Sequence, residues 1–537
     1  MWALFHVHPA RGDYAACFYA VSGFVLYYIT KSAGIPDASQ FTISLLAIHV
    51  LSALISTVIY RLSPWHPLAN FPGPFLWRTS SLRMVFVSFT GKRQLVIDLL
   101  HQRYGSFVRI GPNHLSVNFN SANNIIYGPR NNMEKADSYI TPGHLDATTL
   151  FFKHKPQDHL KRKHIWSPAF SSTSLTHLTA PLERRTWELC HCIERRQKED
   201  NGLFDFAAAF NHYAYDVMGE IVFGGCNGLE LMKYGDAEGL LSGGRMATVI
   251  FECVGQAPWL MDLFWHLPAG NSMVRLRKDA AKMMRKRVQA EAETTVRDLS
   301  SHLIEGETLS GDRIPLKDLE LDALVAIQAG SDTISSTMIL AFFYLLSSPH
   351  RYYSKLQQEL DKAFADRMGP LDWDVLAELP FLDAVINETL RLSTPWYLPR
   401  VVPSGGVVIE GKHIPEGTVV ALAAHSQHVS PENFYPEPLS FRPDRWLPDG
   451  LGPTSRTEKS ALTSFSTGPH VCVAKAFAYQ EMRYAIARLV LTFDFDLAPN
   501  FDCGKFEAGV SIIRTALFKE PLLVSARRRS DTELPVY

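Results

Sequence analysis

The chain has 537 residues, of which 46% are hydrophobic and 20% are charged, so it holds enough apolar sequence for a large buried core. Its 53 basic and 54 acidic residues give a formal net charge of −1, and this balance does not favour nucleic acid as a partner. Seven scattered cysteines do not resemble a disulfide framework, and they suit a reducing compartment.

Two apolar, nearly uncharged runs lie close to the start of the chain, at residues 14–30 and 41–60. A helix of about 20 apolar residues crosses roughly 30 Å of hydrocarbon. We therefore predict a membrane anchor over residues 1–61, with one or two transmembrane helices. A cleaved signal peptide is a competing interpretation of the first run, and the second run would then still hold the protein in the membrane.

Four prolines follow the second apolar run: Pro64, Pro67, Pro72 and Pro74. Proline fixes its own φ angle and restricts the residue before it. Residues 62–75 are therefore predicted to form a stiff, non-helical hinge. We expect one large domain to occupy residues 76–537.

The first elements predicted after the hinge are a helix and a hairpin. Apolar residues recur with helical spacing over residues 92–104, and Gly105 ends the pattern. Residues 106–110 and 114–118 are predicted to pair as a short β-hairpin around a Gly-Pro-Asn turn. From residue 182 to residue 322 the pattern is mostly helical and poor in motifs.

A long helix with little charge is predicted over residues 319–347, and it contains Ala329-Gly-Ser-Asp-Thr333. A glycine and a hydroxyl residue in the middle of a helix loosen the hydrogen-bond ladder, so we expect a carbonyl group there to be free to hold water. A helix that merely tolerates a glycine and two satisfied polar groups is the alternative interpretation.

A further helix is predicted over residues 374–392, and it carries Glu388-Thr-Leu-Arg391. Residues three apart share a helix face, so this glutamate and this arginine can form an ion pair. An ordinary surface pair is the alternative. Short strands are predicted over residues 401–424, around two glycine-containing turns.

A single cysteine, Cys472, lies in the segment Phe465–Ala474, where a Gly-Pro turn leads into a helical pattern over residues 473–491. The N-terminus of a helix favours a thiolate, and a buried thiolate needs a positive partner such as a metal. No second cysteine or histidine stands at zinc spacing, so an axial thiolate on haem iron fits better. A buried cysteine that acts only as a small hydrophobe is the other interpretation.

These motifs together resemble those of the cytochrome P450 haem-thiolate monooxygenases. The pattern Phe-x-x-Gly-x-(Arg/His)-x-Cys-x-(Gly/Ala) of that family is filled here by Phe465, Gly468, His470, Cys472 and Ala474. The pentapeptide in the long helix matches (Ala/Gly)-Gly-x-(Asp/Glu)-Thr, and the Glu-x-x-Arg pair is followed by a matching segment that ends in Arg445. The resemblance extends from about residue 71 to the C-terminus.

The resemblance implies a cytochrome P450 fold, mainly α with small β sheets, that binds haem b through the thiolate of Cys472. Family positions that contact haem or its propionates correspond here to His470, Arg400, Lys163, His159, Phe465, Ala329 and Gly330. Arg162 is a rival propionate donor beside Lys163. A solvated basic face is another interpretation of residues 158–170.

The resemblance also implies catalytic and structural roles. Thr333 would donate to dioxygen and Asp332 would supply protons, because breaking the O–O bond requires them. Glu388, Arg391 and Arg445 would form a buried network that supports the core, since buried charges are stable only when every member is satisfied.

The partners implied are dioxygen, an apolar small-molecule substrate, membrane lipid and a separate NADPH-cytochrome P450 reductase. Only about 65 residues follow Cys472, too few for a fused flavin domain. The family places such proteins in the endoplasmic reticulum membrane with the catalytic domain in the cytosol. The hinge sequence over residues 66–74 looks like that of fungal members, which suggests secondary metabolism of a terpenoid, polyketide or indole alkaloid.

Two alternatives stay open at this point. Some relatives are haem-thiolate isomerases or dehydratases that do not use dioxygen, and they lack the Asp-Thr pair that stands here at residues 332–333. A membrane haem carrier or sensor without catalytic activity is the other alternative, and nothing in the sequence favours it.

Overall fold

Helices make up most of the chain, and small sheets complete it, so the predicted fold class is confirmed. The structure is a computed structural model, and it describes residues 11–139, 149–226, 228–267, 271–290, 297–306, 311, 313–348, 350–393, 396–529 and 534–535. The first ten residues of the predicted anchor lie outside this range.

The helices of the first half begin with the two apolar runs. In chain order they are α1 Gly12–Ser32, α2 Ala38–Leu62, α3 Phe75–Thr79, α4 Leu82–Phe89, α5 Arg93–Tyr104, α6 Ala122–Tyr127, α7 Pro156–Trp166, α8 Ser172–Thr176, α9 Thr179–Glu199, α10 Phe206–Phe223 and α11 Leu231–Tyr234.

The helices of the second half surround one long helix, α16. In chain order they are α12 Leu240–Val254, α13 Pro258–Phe264, α14 Asn271–Gln289, α15 Leu299–Glu305, α16 Leu316–Ser347, α17 Tyr352–Ala363, α18 Trp373–Ala377, α19 Pro380–Ser393, α20 Ala424–His428, α21 Lys475–Thr492 and α22 Cys503–Gly509.

Short strands form several small sheets. The strands are β1 Phe107–Gly111, β2 His114–Val117, β3 Glu134–Lys135, β4 Phe204–Asp205, β5 Arg400–Val401, β6 Val407–Ile409, β7 Lys412–Ile414, β8 Val419–Leu422, β9 Phe434–Tyr435, β10 Arg456–Thr457, β11 Phe493–Leu497, β12 Val510–Ile512, β13 Ala516–Phe518 and β14 Leu523–Arg528. The largest sheet has the order β1-β2-β8-β5-β3, and only its β2–β8 pair is parallel. A second sheet has the order β11-β14-β4, and the remaining strands pair as hairpins or ribbons.

The core is built around α16, which packs against α10, α14 and α19. This helix is long and apolar enough to cross a membrane, yet most of it is buried inside the domain. Its partner α10 is buried over nearly its whole length. A helix that is apolar on every face belongs in such a core, so the composition of α16 reflects its central place.

The structure divides one predicted helix into two separate helices. Residues 374–392 were expected to form a single helix, but α18 ends at Ala377 and α19 begins at Pro380. Proline is favoured in the first turn of a helix and disfavoured inside one. The Glu359 carboxylate then accepts the amide N–H groups of Phe381 and Leu382, both at 2.8 Å, and so caps the new helix start.

The proline-rich segment packs against the largest sheet. Leu68 and Phe71 are buried in a cluster that also contains Phe107, and the Arg109 amide donates to the Pro72 carbonyl at 2.7 Å. The segment 62–75 is non-helical apart from its first and last residues, and buried apolar contacts join it to the sheet.

Candidate active site

The loop before α21 presents Cys472. The Cys472 amide donates to the Phe465 carbonyl at 3.0 Å, which closes the loop, and α21 itself begins only at Lys475. Gly468 has φ +65°, and a Cβ atom there would lie 2.3 Å from the Tyr127 carbonyl oxygen. A side chain at position 468 is therefore excluded both by the positive φ angle and by the nearby backbone of Tyr127, at the end of α6.

Cys472 is exposed although protein surrounds its thiol closely, and we call the accessible space beside this residue the opening. Burial raises the pKa of the Cys472 thiol, while the Ala474 amide and the cations of Lys163 and Lys475 act in the opposite direction. The amide of Ala474 at the N-cap of α21 thus acts in the direction expected of a helix N-terminus, and burial outweighs it. A coordinated metal cation would deprotonate such a thiol outright.

Two buried cations lie side by side near this opening. Lys135 of β3 and Arg400 of β5 are direct partners across antiparallel strands, and like charges in such positions repel. Burial lowers the pKa of Lys135 well below its usual range, and Arg400 and Arg514 lower it further. The Lys135 ammonium donates to the Phe151 carbonyl at 2.7 Å, and the Arg400 Nε has no hydrogen-bond partner among the described residues.

Two histidine rings complete this basic cluster. The centroids of His159 and His470 lie 4.2 Å apart, and the part of the chain that the structure describes offers no hydrogen-bond partner to either nitrogen of His470 or to Nδ1 of His159. The pKa of His470 is lowered to about 2, first by burial and then by the charges of Arg400, Lys135, His159 and Lys163. Burial also lowers the pKa of His159 to about 3, with smaller effects from the neighbouring cations.

The cluster therefore has the donors for an anionic group. Buried polar atoms are normally hydrogen-bonded, and the partnerless nitrogens of His159, His470 and Arg400 depart from that rule. The two propionates of haem b would supply acceptors and negative charge here, so these residues fit that cofactor.

Helix α7 carries adjacent cations that face different neighbours. The Lys163 ammonium donates to the carbonyls of Pro469 and Val471, at 3.1 and 3.4 Å, and so fastens the cysteine loop. The Arg162 guanidinium forms a buried ion pair with Asp322 of α16. Arg162 is thus paired with α16, while Lys163 uses two of its three donors on the loop.

The middle of helix α16 borders solvent-accessible space on one face. Ala329 is exposed although most of the helix is buried, and the Thr333 hydroxyl on the same face donates to the Ala329 carbonyl at 2.7 Å. The helix runs without interruption through this region, so the loosened ladder expected here is absent from the described helix. A Cβ atom on Gly330 would lie 2.4 Å from the Met218 sulfur, so Gly330 instead lets α10 approach closely.

The Asp332 side chain faces α10 and not that opening. It is buried, and it accepts a hydrogen bond from the Tyr215 hydroxyl of α10 at 3.2 Å. Burial raises the pKa of Asp332 to about 6, although Arg245 and the Tyr215 hydrogen bond lower it. The structure therefore does not bring the carboxyl of Asp332 to the hydroxyl of Thr333, and it exposes only Thr333 to the opening.

Glu388, Arg391 and Arg445 meet in a fully buried network. The Arg391 guanidinium forms two hydrogen bonds of 2.8 Å with the Glu388 carboxylate, and Arg445 Nε donates to it at 2.9 Å. The Arg442 amide and the Trp446 indole also donate to Glu388, at 2.8 and 2.9 Å. Burial alone would raise the pKa of Glu388, but Arg391 and Arg445 hold it below its usual value.

This network reaches the cysteine loop through residues that the sequence motifs do not mark. The buried His428 contacts the Arg391 carbonyl through Nδ1 at 2.9 Å, and its Nε2 accepts from the Thr463 amide at 3.1 Å. The Trp396 indole donates to the Ser464 carbonyl at 2.6 Å. These hydrogen bonds fix the backbone of residues 463 and 464, directly before Phe465. Neither the spacing of the motifs nor the helical periodicity could have indicated them.

The basic cluster gives a testable expectation. Replacing His470 by alanine removes one of its partnerless donors, so haem affinity should fall about tenfold, the effect of one hydrogen bond of about 1.4 kcal/mol. Haem retained after dialysis is the measurement. The control is His164→Ala, because His164 is an exposed histidine on α7. Equal retention in both variants would exclude a propionate contact for His470.

Comparison with known proteins gives consistent matches. A family model described as Cytochrome P450 matches residues 71–516. The chain is similar to Cytochrome P450 67 of Uromyces fabae, at 29% identity over 97% of this chain and 96% of the relative. It is also similar to cytochrome P450 monooxygenase AKT7 of Alternaria alternata, at 30% identity over 85% of this chain and 89% of the relative. Cytochrome P450 monooxygenase prhB of Penicillium brasilianum matches at 30% identity over 86% of this chain and 94% of the relative.

Proposed function

This chain belongs to the cytochrome P450 family, and from that membership we propose that it is a haem-thiolate monooxygenase. It uses dioxygen and NADPH-derived electrons to hydroxylate or otherwise oxidise an apolar small molecule. The observation that carries the proposal is the opening beside Cys472, where the His159, His470 and Arg400 side chains keep buried donors without partners in the described chain.

The cofactor proposed is haem b. Cys472 would provide the thiolate that holds the iron, and His159, His470 and Arg400 would bind the propionates together with Lys135. Lys163 would act mainly by holding the loop carbonyls. The remaining predicted haem neighbours would contact the macrocycle: Phe465, Ala329 and Gly330. When bound, this cofactor supplies the oxygen chemistry, and the chain supplies ligand, position and protons.

Proton supply is assigned to Thr333 and Asp332. The Thr333 hydroxyl faces the opening while it donates to the Ala329 carbonyl, so it can turn to donate to dioxygen. Asp332 has a pKa raised to about 6, which allows it to hold a proton near neutral pH. It faces Tyr215 of α10, so a proton from Asp332 must pass between adjacent faces of α16 to reach the Thr333 hydroxyl.

Electron supply is assigned to an NADPH-cytochrome P450 reductase. The exposed basic residues Lys161, His164 and Lys475 lie on α7 and at the start of α21, next to the cysteine loop. A basic surface of this kind attracts an acidic redox partner. We place the protein in the endoplasmic reticulum membrane with its catalytic domain in the cytosol, since α2 is apolar, 25 residues long and largely exposed.

The substrate class proposed is a fungal secondary metabolite, namely a terpenoid, polyketide or indole alkaloid. Its basis is the fungal origin of the relatives named above. Deletion of the gene in its host tests this class, because the unoxidised precursor should accumulate. Accumulation of a primary metabolite instead would contradict it.

Activity is tested with purified protein and reductase. NADPH consumption should rise when a suitable substrate is added, and oxygen should be consumed with it. An isomerase or dehydratase of the same family would convert its substrate without NADPH, and a haem carrier would convert nothing. Either of those outcomes would overturn the monooxygenase proposal.

Replacement of Thr333 by alanine should separate NADPH use from product formation. We expect product to fall by roughly 10²-fold while NADPH oxidation continues and peroxide is released, because a positioned proton donor contributes at least that much. The matched control is Thr337→Ala, since Thr337 lies one turn further along α16 and donates to the Thr333 carbonyl at 2.8 Å. Unchanged coupling in Thr333→Ala would remove Thr333 from the proton path.

A further inference from the structure

The two N-terminal helices form an antiparallel hairpin. The helices contact each other along their whole length. Near the open end the ring centroids of Tyr19 and His49 are 6.1 Å apart. Further along, a Cβ atom on Gly23 would lie 3.0 Å from Leu46 Cδ1, and near the tip the hydroxyl oxygens of Thr30 and Thr42 are 3.2 Å apart. The two threonines are buried between the helices. A small residue and a polar pair at a helix interface are typical of helices that associate inside lipid.

The first helix starts on the catalytic domain. The Gly12 amide donates to the Asp262 carboxylate of α13 at 2.9 Å, and the Asp13 carboxylate lies 3.2 Å from the His266 ring nitrogen. A Cβ atom on Gly12 would lie 1.9 Å from the Trp259 carbonyl oxygen. Only glycine permits this approach, so α1 is docked against α13 at its first residue.

The second helix ends on the same domain. The Arg61 guanidinium donates to the Thr79 carbonyl of α3 at 2.6 Å. Both open ends of the hairpin thus contact the catalytic domain, and residues 33–37 form its distant tip. At about 1.5 Å per residue, the 21 residues of α1 carry that tip roughly 30 Å away.

The surface of the hairpin is apolar between its ends. No charged residue occurs over residues 14–30 or 38–60, and the charges stand at the ends of the helices. The exposed large side chains are Tyr14, Phe18, Val21, Phe24, Val25, Tyr28, Ile29, Phe41, Ile43, Leu45, Ile48, Val50, Leu51, Leu54, Ile55 and Ile59. An apolar surface of this height, with tyrosines near both ends of α1, matches the hydrocarbon layer of a bilayer.

We propose that α1 and α2 cross the membrane together as a two-span hairpin, with the tip at residues 33–37 on the side opposite the catalytic domain. Among the described helices outside the core, only α2 qualifies as a span by length and composition, because α1 carries four tyrosines. Pairing with α2 is what places α1 in the bilayer. The inference deepens the membrane-anchor part of the proposed function and rests on it.

Helix α13, on which α1 begins, also packs toward the candidate active site. Helix α13 contributes Met261 to a cluster with Phe251 of α12, and Phe151 and Phe152 pack against that cluster. Phe151 is the residue whose carbonyl accepts from Lys135 in the basic cluster. The start of the first span is therefore joined, through α13, to side chains that border the candidate active site.

Topology is tested by glycosylation mapping of the full chain in microsomes. A flexible linker with one Asn-x-Thr acceptor is inserted after Gly34, fused ahead of the chain, or placed in the hinge, in three separate variants. The two-span hairpin predicts an endoglycosidase-sensitive shift for the insertion after Gly34 only. A shift for the N-terminal fusion as well would mean a single span by α2, and no shift in any variant would mean that the hairpin does not cross. Either result would overturn the proposal.

The docking of α1 is tested separately. Gly12→Val should displace α1 from α13, so hydrogen exchange of the amides in α13 should become several-fold faster in lipid nanodiscs. The matched control is Ala16→Val, because Ala16 is exposed one turn further along α1. Equal exchange in the two variants would reject the docking. Ferrous carbonyl spectra of every variant report haem separately, so failure of the haem-thiolate proposal would be seen independently of the topology.

Discussion

Cys472→Ser should abolish monooxygenase activity, with a loss larger than the roughly 10–100-fold that removal of a supporting residue costs at a metal site. Serine keeps the size of the side chain but not the thiolate that the iron needs. The ferrous carbonyl absorption characteristic of sulfur-ligated iron should disappear as well. Turnover with the reductase and this absorption are the two measurements.

The control for that substitution is Cys503→Ser, at the start of α22 and outside the cysteine loop. It should leave both the absorption and the turnover unchanged. A Cys472→Ser protein that kept its sulfur-type absorption would show that another cysteine binds the iron. The assignment of the site to this loop would then be wrong.

Glu388→Gln should destabilise the protein by about 3–5 kcal/mol, the usual cost of removing one partner from a buried ion pair. The change leaves the guanidinium groups of Arg391 and Arg445 buried without a counter-charge. Both are fully buried, so water cannot replace the carboxylate. Chemical denaturation of the haem-loaded protein, followed by circular dichroism, measures the difference.

The chain provides a matched control for this prediction in Glu437. Its carboxylate pairs with Arg442 at 2.7 Å in the same segment, but its side chain is half exposed. An exposed pair of this kind contributes about 0–1 kcal/mol, so Glu437→Gln should be nearly as stable as the wild type. Equal stability of the two variants would mean that the Glu388 network does not support the core.

The residues near the cysteine loop divide into those that a sequence can reveal and those that it cannot. Cys472 and Glu388 stand in short motifs whose spacing reflects local geometry, a closed loop in one case and one helix face in the other. Lys135 belongs to no motif, and it reaches the basic cluster only because β3 pairs with β5. Such a contact depends on long-range strand pairing, which local periodicity does not encode.

The same limit explains the errors in local detail. The helix expected over residues 374–392 kept its apolar spacing across the break, and only Pro380 signalled the new start. Arg162 and Lys163 are neighbours with the same charge, so the sequence could not assign them different partners. The two residues differ because Asp322 of α16 forms an ion pair with Arg162, a contact between elements far apart in the chain. The positions of the motifs could therefore be predicted, whereas the helix break before Pro380 and the side-chain partners between distant elements were not.

The packing of the proline-rich segment determines where a soluble fragment can start. A truncation at the predicted domain boundary, residue 76, would delete Leu68 and Phe71 from beneath the largest sheet. Each buried side chain of this size contributes about 1.5–3 kcal/mol, so such a fragment should express poorly and aggregate. A fragment that begins ahead of Leu68 would lose α1 and α2 but keep the two buried side chains that pack against the largest sheet.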